Sequence, residues 1–428
     1  MKIDELGRRE FIAQAAKSCL GVGLMPMAGS YIHNNVQALQ TGVRPATARH
    51  VIYLNMAGAM SHLDTFAPKP DAPEIQGPTQ AIATSADGIL LSENLPKTAQ
   101  FMHKASVIKT MVSSQGAHEQ ASYLMHTSYL KRGTIVHPTF GSWVSKLAGS
   151  INSTIPSNIK IGGGGGGAGF LESKYGALPI NNPKSGLANS KMASYLDQEH
   201  FQGRISLAEK LNQNFSADFP QKQVRAYSDL YRDAVKLMNS NDLNAFDITK
   251  EPIATSELYG ATNFGQGCLL ARRLVENGVR YVEVTRGGWD THDNNFERVA
   301  ANCADIDQAL SGLLFDLDRR GLLTETLVVL TSEFGRTPNI NGRDGRDHWP
   351  YCFTAFMAGG GVKGGFTYGE SDKTGRSPVE GKGIKPEDLN ATIAYTLGLS
   401  INSLQYSPSG RPFTIANKGE PLFDVLDI

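Results

Sequence analysis

The apolar positions of this chain fall into short unbroken runs separated by longer stretches of 3.6-residue period. Thr326–Thr331 and Tyr351–Ala358 are runs of the first kind, and His50–Met56 (HVIYLNM), Ala105–Met111 (ASVIKTM) and Val279–Thr285 read as strands with isolated polar positions. Continuous apolar runs of this length predict strands buried on both faces, not half-exposed ones. Helical spacing appears from His118 through Thr127 and again over Phe264–Asn277, with Gly278 placed as a C-cap. A long helix then carries Ile306, Ala309, Leu310, Leu313, Leu314 and Leu317 on one face and ends at Gly321. Strands alternating with helices predict an α/β fold built on a parallel sheet. From Ser185 to about Leu258 the chain turns polar, charged and helix-favouring, which predicts a helical insertion over about 185–258 that covers one end of the sheet or flanks the site.

Right-handed crossovers put the exit loops of parallel strands on one edge of the sheet, and ligands bind in the crevice there. The chemistry-bearing residues cluster in such loops. After Thr331 come Glu333, Arg336, Asn339, Asn341, Arg343, Asp344, Arg346, Asp347 and His348, with Phe334 and Trp349 among them. After Thr285 come Arg286, Asp290 and His292. His118 stands near a helix N-terminus, where an anion is favoured, whereas His126 and His137 read as structural. Ser61, His62 and Asp64 follow the first strand too closely to form a triad, because triads are assembled from separate segments. Gly162–Gly167 lacks the Lys-Ser/Thr of a phosphate loop and the acidic residue of a dinucleotide fold, so it reads as a flexible loop.

Composition narrows the partners. The chain has 428 residues, 40% hydrophobic, with 41 basic and 41 acidic side chains. A net charge of zero gives no support to a nucleic-acid footprint or a polybasic membrane anchor. Arg8-Arg9 followed by Phe11-Ile12 and the weakly apolar Ser18–Gly29 reads as a twin-arginine (Tat) signal, cleaved after Gly29 or Ala38. The expected organisation is a signal and linker over 1–38 and a single α/β domain over 39–428. The Tat translocase is then a partner during export and the location is periplasmic or secreted. No later run of about 18 apolar residues predicts a transmembrane helix. Cys268, Cys303 and Cys352 are scattered, with neither metal spacing nor a disulfide framework.

Two resemblances rest on these motifs. DIDQALSGLLFDLDRRGLLTETLVVLTSEFGRTP followed by CFTAFMAGGGVKGG looks like the C-terminal half of the alkaline phosphatase and sulfatase superfamily. The twin-arginine segment with SHLDTFAPKP, GGWDTH, TSEFGRTP and GRDHWP resembles an exported bacterial family, domain of unknown function 1501. The resemblance implies a three-layer α/β/α sandwich with a mostly parallel sheet. It implies metal ligands at Asp290, His292, Glu333 and His348, and a divalent cation, with zinc, manganese and calcium as candidates. Phe334 stands where the superfamily has a histidine, Asn55-Met56-Ala57 lacks its aspartate, and no nucleophile is evident near His118. One metal, or none, is therefore expected. The implied activity is hydrolysis of a phosphate, phosphonate or sulfate ester on an anionic small molecule or polysaccharide. Arg286 and Arg336 would steady the anionic group, and Glu333 or His118 would handle protons. The alternative is a non-catalytic periplasmic binding or assembly protein of the same fold.

Overall fold

The computed structural model describes residues 46–428 apart from 164–165, 188–189, 191–194, 196, 219–221 and 380–382. The twin-arginine segment, Cys19 and the middle of the Gly162–Gly167 run lie outside the described residues.

Eight strands form the central sheet: β1 (His50–Met56), β2 (Ala105–Met111), β3 (Asn158–Ile161), β4 (Leu178–Ile180), β5 (Tyr281–Arg286), β6 (Thr326–Thr331), β7 (Phe353–Ala358) and β8 (Phe366–Tyr368). Their order is β8-β2-β7-β6-β1-β5-β3-β4. Every neighbouring pair is parallel except the two made by β7. β7 lies directly beside β6 and needs no crossover, so the loop between them returns along the same sheet edge.

Among the described residues the longer helices are α1 (His118–Thr127), α2 (Phe140–Ala148), α3 (Gln198–Asp218), α4 (Lys222–Met238), α5 (Asn263–Glu276), α6 (Asn295–Arg319) and α7 (Pro386–Thr396). Strand alternation decides what each face of the sheet meets. Ile52, Leu54 and Met56 of β1 pack with Leu270 and Leu274 of α5 and with Leu310 and Leu313 of α6. Val51 and Tyr53 of β1 pack with Met125 of α1, Trp143 of α2 and Ile393 of α7. Helices thus cover both faces, which makes a three-layer α/β/α sandwich and explains why β1 has no exposed position.

Within 185–258, α3 packs along α4, and Leu237 at the end of α4 joins the core together with Phe246. Cys268, Cys303 and Cys352 are buried free thiols. Among the described residues no helix is long and apolar enough to cross a membrane.

Candidate metal centre

Four segments leave the carboxyl edge of the sheet and converge. β1 runs into Gly58, β5 leads to Asp290 and His292, β6 leads to Glu333, and the loop after β2 delivers His118 as the first residue of α1. Gly58 has φ +115, and a Cβ there would stand 2.7 Å from the Asp290 nitrogen. Only glycine lets the exit of β1 lie directly on the exit of β5.

The Asp290 Oδ1 atom is the focus. Three imidazole Nε2 atoms surround it, from His292 at 3.1 Å, His118 at 3.4 Å and His348 at 3.4 Å. His292 Nε2 and His348 Nε2 are 3.0 Å apart. The ligating atoms of His118, Asp290 and His348 all lie within 4.8 Å of one another, and His292 Nε2 approaches two of them, Asp290 Oδ1 at 3.1 Å and His348 Nε2 at 3.0 Å.

Each ring is held from behind. His118 Nδ1 donates to Glu333 Oε1 at 2.7 Å, His292 Nδ1 to Asp347 Oδ1 at 2.7 Å, and His348 Nδ1 to the Gly116 carbonyl at 2.8 Å. Carbonyls and ionised carboxylates only accept, so these partners assign the proton to Nδ1 and leave every Nε2 lone pair facing inward. Three lone pairs and one carboxylate oxygen therefore point at one another. Histidines that bind metals are held in this way, with an outer acceptor fixing tautomer and ring orientation. The cluster is open to solvent, with Asp290 49% and His118 35% exposed.

The charges around it are set by burial and by Arg336. Burial alone would raise the Asp290 pKa, but the Arg336 hydrogen bond and charge outweigh it and hold the carboxyl at about 2. For Glu333, too, burial opposes ionisation, and the His118 hydrogen bond with the backbone donors brings its pKa below the usual range. The same hydrogen bond raises the His118 pKa, whereas burial lowers that of His348.

Asp290, His292 and His348 come together as the sequence reading placed them. Glu333 does not face the cluster centre. Its Oε1 accepts from the Gly58 N–H at 2.8 Å as well as from His118, and its Oε2 lies 3.0 Å from Ser332 Oγ. His118 occupies the inner position instead, and Glu333 stands behind it.

Arg336 is fully buried and already engaged, so it is not free to clamp an anion. It donates to the carbonyls of Ala59 (2.8 Å), Arg346 (3.1 Å) and Gly58 (2.6 Å) and to Asp290 Oδ1 (2.5 Å). Arg286 leaves the site altogether. Strand alternation turns it to the same face as Val282 and Val284, where it donates to Asn302 Oδ1 at 2.9 Å and pairs with Asp305 at 3.1 Å.

No triad forms after β1, as expected. Ser61 Oγ donates to Asp64 at 2.5 Å, but His62 Nε2 donates to the Gly375 carbonyl at 2.9 Å. His126 pairs with Glu283 at 3.2 Å, and His137 stacks on Tyr129, both inside the protein and outside the cluster. The roles of Asp347 and of the Gly116 carbonyl were not read from the sequence. Asp347 adjoins His348 and could have been weighed, but a backbone carbonyl leaves no trace in residue identity.

The sequence model of the family described as "Protein of unknown function (DUF1501)" matches residues 48–426. No curated protein matches the chain in sequence. Among solved structures, the lipoteichoic acid synthase LtaP from Listeria monocytogenes is 10% identical, with 87% of this chain and 79% of that one covered and a TM-score of 0.37. The PsFucS1 sulfatase from Pseudoalteromonas sp. is 12% identical, covering 90% and 75% at a TM-score of 0.37. The alkaline phosphatase from the Antarctic bacterium TAB5 is 12% identical, covering 77% and 96% at a TM-score of 0.31. None of the three is similar enough for its site to be read across to this chain.

Proposed function

We propose that this chain, which belongs to the DUF1501 family of proteins of unknown function, holds one divalent transition-metal ion on His118, Asp290, His292 and His348 and hydrolyses a phosphate or sulfate ester there. The observation that carries the reading is the convergence of three inward Nε2 lone pairs on Asp290 Oδ1. Such a set of acceptors repels itself unless protons or a cation fill the space. The donor chemistry selects the cation: three imidazoles and one carboxylate suit zinc, manganese or iron, and disfavour calcium and magnesium, which take oxygen ligands.

A cation in that position supplies Lewis acidity toward an ester oxygen and acidifies water. The chain's own residues do the rest. Glu333, Asp347 and the Gly116 carbonyl orient the rings, and Arg336 keeps Asp290 ionised. Glu333, behind His118, holds the ring proton on Nδ1 and so keeps the Nε2 lone pair available to the cation. No side chain caps the N-terminus of α1, which begins at His118. Its positive end supports an anionic substrate, a role left open by the engagement of Arg286 and Arg336.

The engagement of those two arginines also favours a second reading, a binding protein of the same fold without turnover. Protein purified without chelator decides between them. Bound zinc, manganese or iron together with hydrolysis of an aryl phosphate, phosphodiester or aryl sulfate supports the first reading. A metal-free protein inactive on all three overturns it. Export through the twin-arginine route belongs to the same proposal, and rests on Arg8 and Arg9. Arg8→Lys with Arg9→Lys is expected to retain the protein in the cytoplasm. Undiminished periplasmic protein overturns it.

A further inference from the structure

Asp64 and Arg346 are fully buried and form a forked ion pair, with Nε to Oδ2 at 2.8 Å and the second contact, to Oδ1, at 3.2 Å. Neither touches the metal cluster, and the chemistry proposed above uses neither. Their partners show what they hold. The Arg346 guanidinium also donates to the carbonyls of Ile75 (2.9 Å), Gln76 (3.2 Å) and Thr337 (3.2 Å), and to that of Pro338. Its backbone N–H donates to the Thr291 carbonyl at 3.0 Å, and its own carbonyl accepts from Arg336 at 3.1 Å. Asp64 in turn accepts from Ser61, Thr79 and Asn295, and Asn295 accepts from Thr291 Oγ1 at 2.6 Å.

These contacts join three loops. Asp64 belongs to the exit of β1, Thr291 to the exit of β5 beside His292, and Thr337 to the exit of β6. Arg346 itself is two residues from His348. The loops touch closely here as well: a Cβ on Gly345 would stand 1.9 Å from the His292 carbonyl oxygen.

We infer that Asp64 and Arg346 are positioning residues, a buried tie that sets the spacing of His292 and His348 and so the fit of the centre to its cation. This rests on the metal reading above. Two properties make arginine necessary. Its planar fork engages both carboxylate oxygens and still offers donors to four carbonyls, whereas lysine presents a point charge with three donors. With the fork removed, the loops keep their hydrophobic seats but lose the contact that registers one against another.

The test compares two buried arginines in the full chain. Arg272 of α5 pairs with Glu251 at 2.7 Å, Glu276 at 2.8 Å and Asp316 at 2.9 Å, in the last turns of the helix that leads into β5, at the opposite end of that strand from Asp290 and His292. Arg346→Lys is expected to weaken zinc binding about tenfold or more, the scale on which outer partners of metal ligands act. Zinc affinity is read by competition with a chromophoric chelator. Arg272→Lys is expected to leave zinc affinity within about twofold of wild type while lowering the unfolding midpoint. In metal-free protein, Arg346→Lys should speed amide hydrogen exchange over 290–295 and 337–348, and Arg272→Lys should not.

Unchanged exchange in Arg346→Lys overturns the tie. So does an equal loss of zinc affinity in both variants, because the effect is then general destabilisation. If wild-type protein takes no zinc, manganese or iron, the metal reading falls and the exchange comparison alone decides the tie. If Arg346→Lys fails to fold, Asp64→Asn, of the same shape without the charge, is carried through the same two measurements with the same outcomes.

Discussion

His292 and His348 face each other Nε2 to Nε2 at 3.0 Å, with their ring protons turned outward to Asp347 and to the Gly116 carbonyl. Two neutral imidazoles in this arrangement oppose lone pairs. Either a proton or a cation must stand between them. The residues that provide the arrangement come from the exits of two parallel strands with β1 between them, the place where an open α/β sheet forms its crevice.

Zinc is expected to stabilise the folded protein, because it binds the assembled centre and not the unfolded chain. At a thousandfold excess over the dissociation constant the gain is about 4 kcal/mol. His348→Ala and His292→Ala should each remove most of that gain while the zinc-free proteins unfold near the wild-type midpoint. Thermal unfolding with and without zinc, with metal content by mass spectrometry, measures both. A His348→Ala protein that retains the full zinc-dependent gain would show that the metal sits elsewhere.

Arg336→Ala should act on the fold before it acts on any ligand. It removes a buried charge that pairs with Asp290 and satisfies three carbonyls. The expected loss is about 1–3 kcal/mol, the cost of leaving a buried acceptor without its donor, since the half-exposed Asp290 can be rehydrated. Chemical denaturation gives the number. An unchanged midpoint would mean that Arg336 is held less tightly than its contacts indicate.

Gly58→Ala should destabilise more than Gly88→Ala. Both glycines have positive φ, +115 and +77, so both substitutions carry backbone strain. An added Cβ at Gly58 meets the Asp290 nitrogen at 2.7 Å, whereas at Gly88 it meets nothing within 4 Å. Strain alone costs about 1–3 kcal/mol, and the Gly58 variant adds the clash and should also lose zinc. Equal effects at the two positions would remove the argument that β1 and β5 exits need glycine to touch.

Acid should weaken the protein through His62. Desolvation by burial holds its pKa down at about 4, against 6.5 for the exposed ring. Between these values the unfolded chain binds a proton that the folded one refuses, so this contribution is complete above pH 6.5 and is lost as pH falls toward 4. At pH 5 the loss is about 2 kcal/mol. His62→Gln, which keeps a donor for the Gly375 carbonyl, should lose about that much less than wild type between pH 7.5 and pH 5. Urea unfolding at the two pH values provides the comparison, and parallel losses would refute it.

Five of the eight strands of the sheet and the edge where polar residues collect were legible in the sequence, and the sandwich class followed from the resemblance; the short strands β3, β4 and β8 were not read. β1 and β2 match their expected ranges residue for residue, because apolar and small side chains dominate a strand covered on both faces. Asp290, His292 and His348 were named as a set through the family resemblance, and their place just past two buried strands put them on one edge of the sheet. Boundaries drifted where flanking residues were apolar for another purpose. The run from Tyr351 suggests a strand, yet β7 begins at Phe353 and Tyr351 is 58% exposed, its ring set edge-on to Trp349.

What only the tertiary structure decided was which polar groups face inward. His118 and Glu333 are 215 positions apart and exchange the roles expected of them, the histidine at the centre and the acid behind it. Arg336, expected to steady an anion, and Arg346, one polar residue of the same loop, are among the largest fully buried side chains. Arg286 was turned away by a single step of strand alternation. Residue type and spacing report the element and its buried face, because these follow from short-range geometry. The direction of a side chain in a loop depends on carbonyls and carboxylates brought in from distant segments. Those partners exist only once the sheet has set its order.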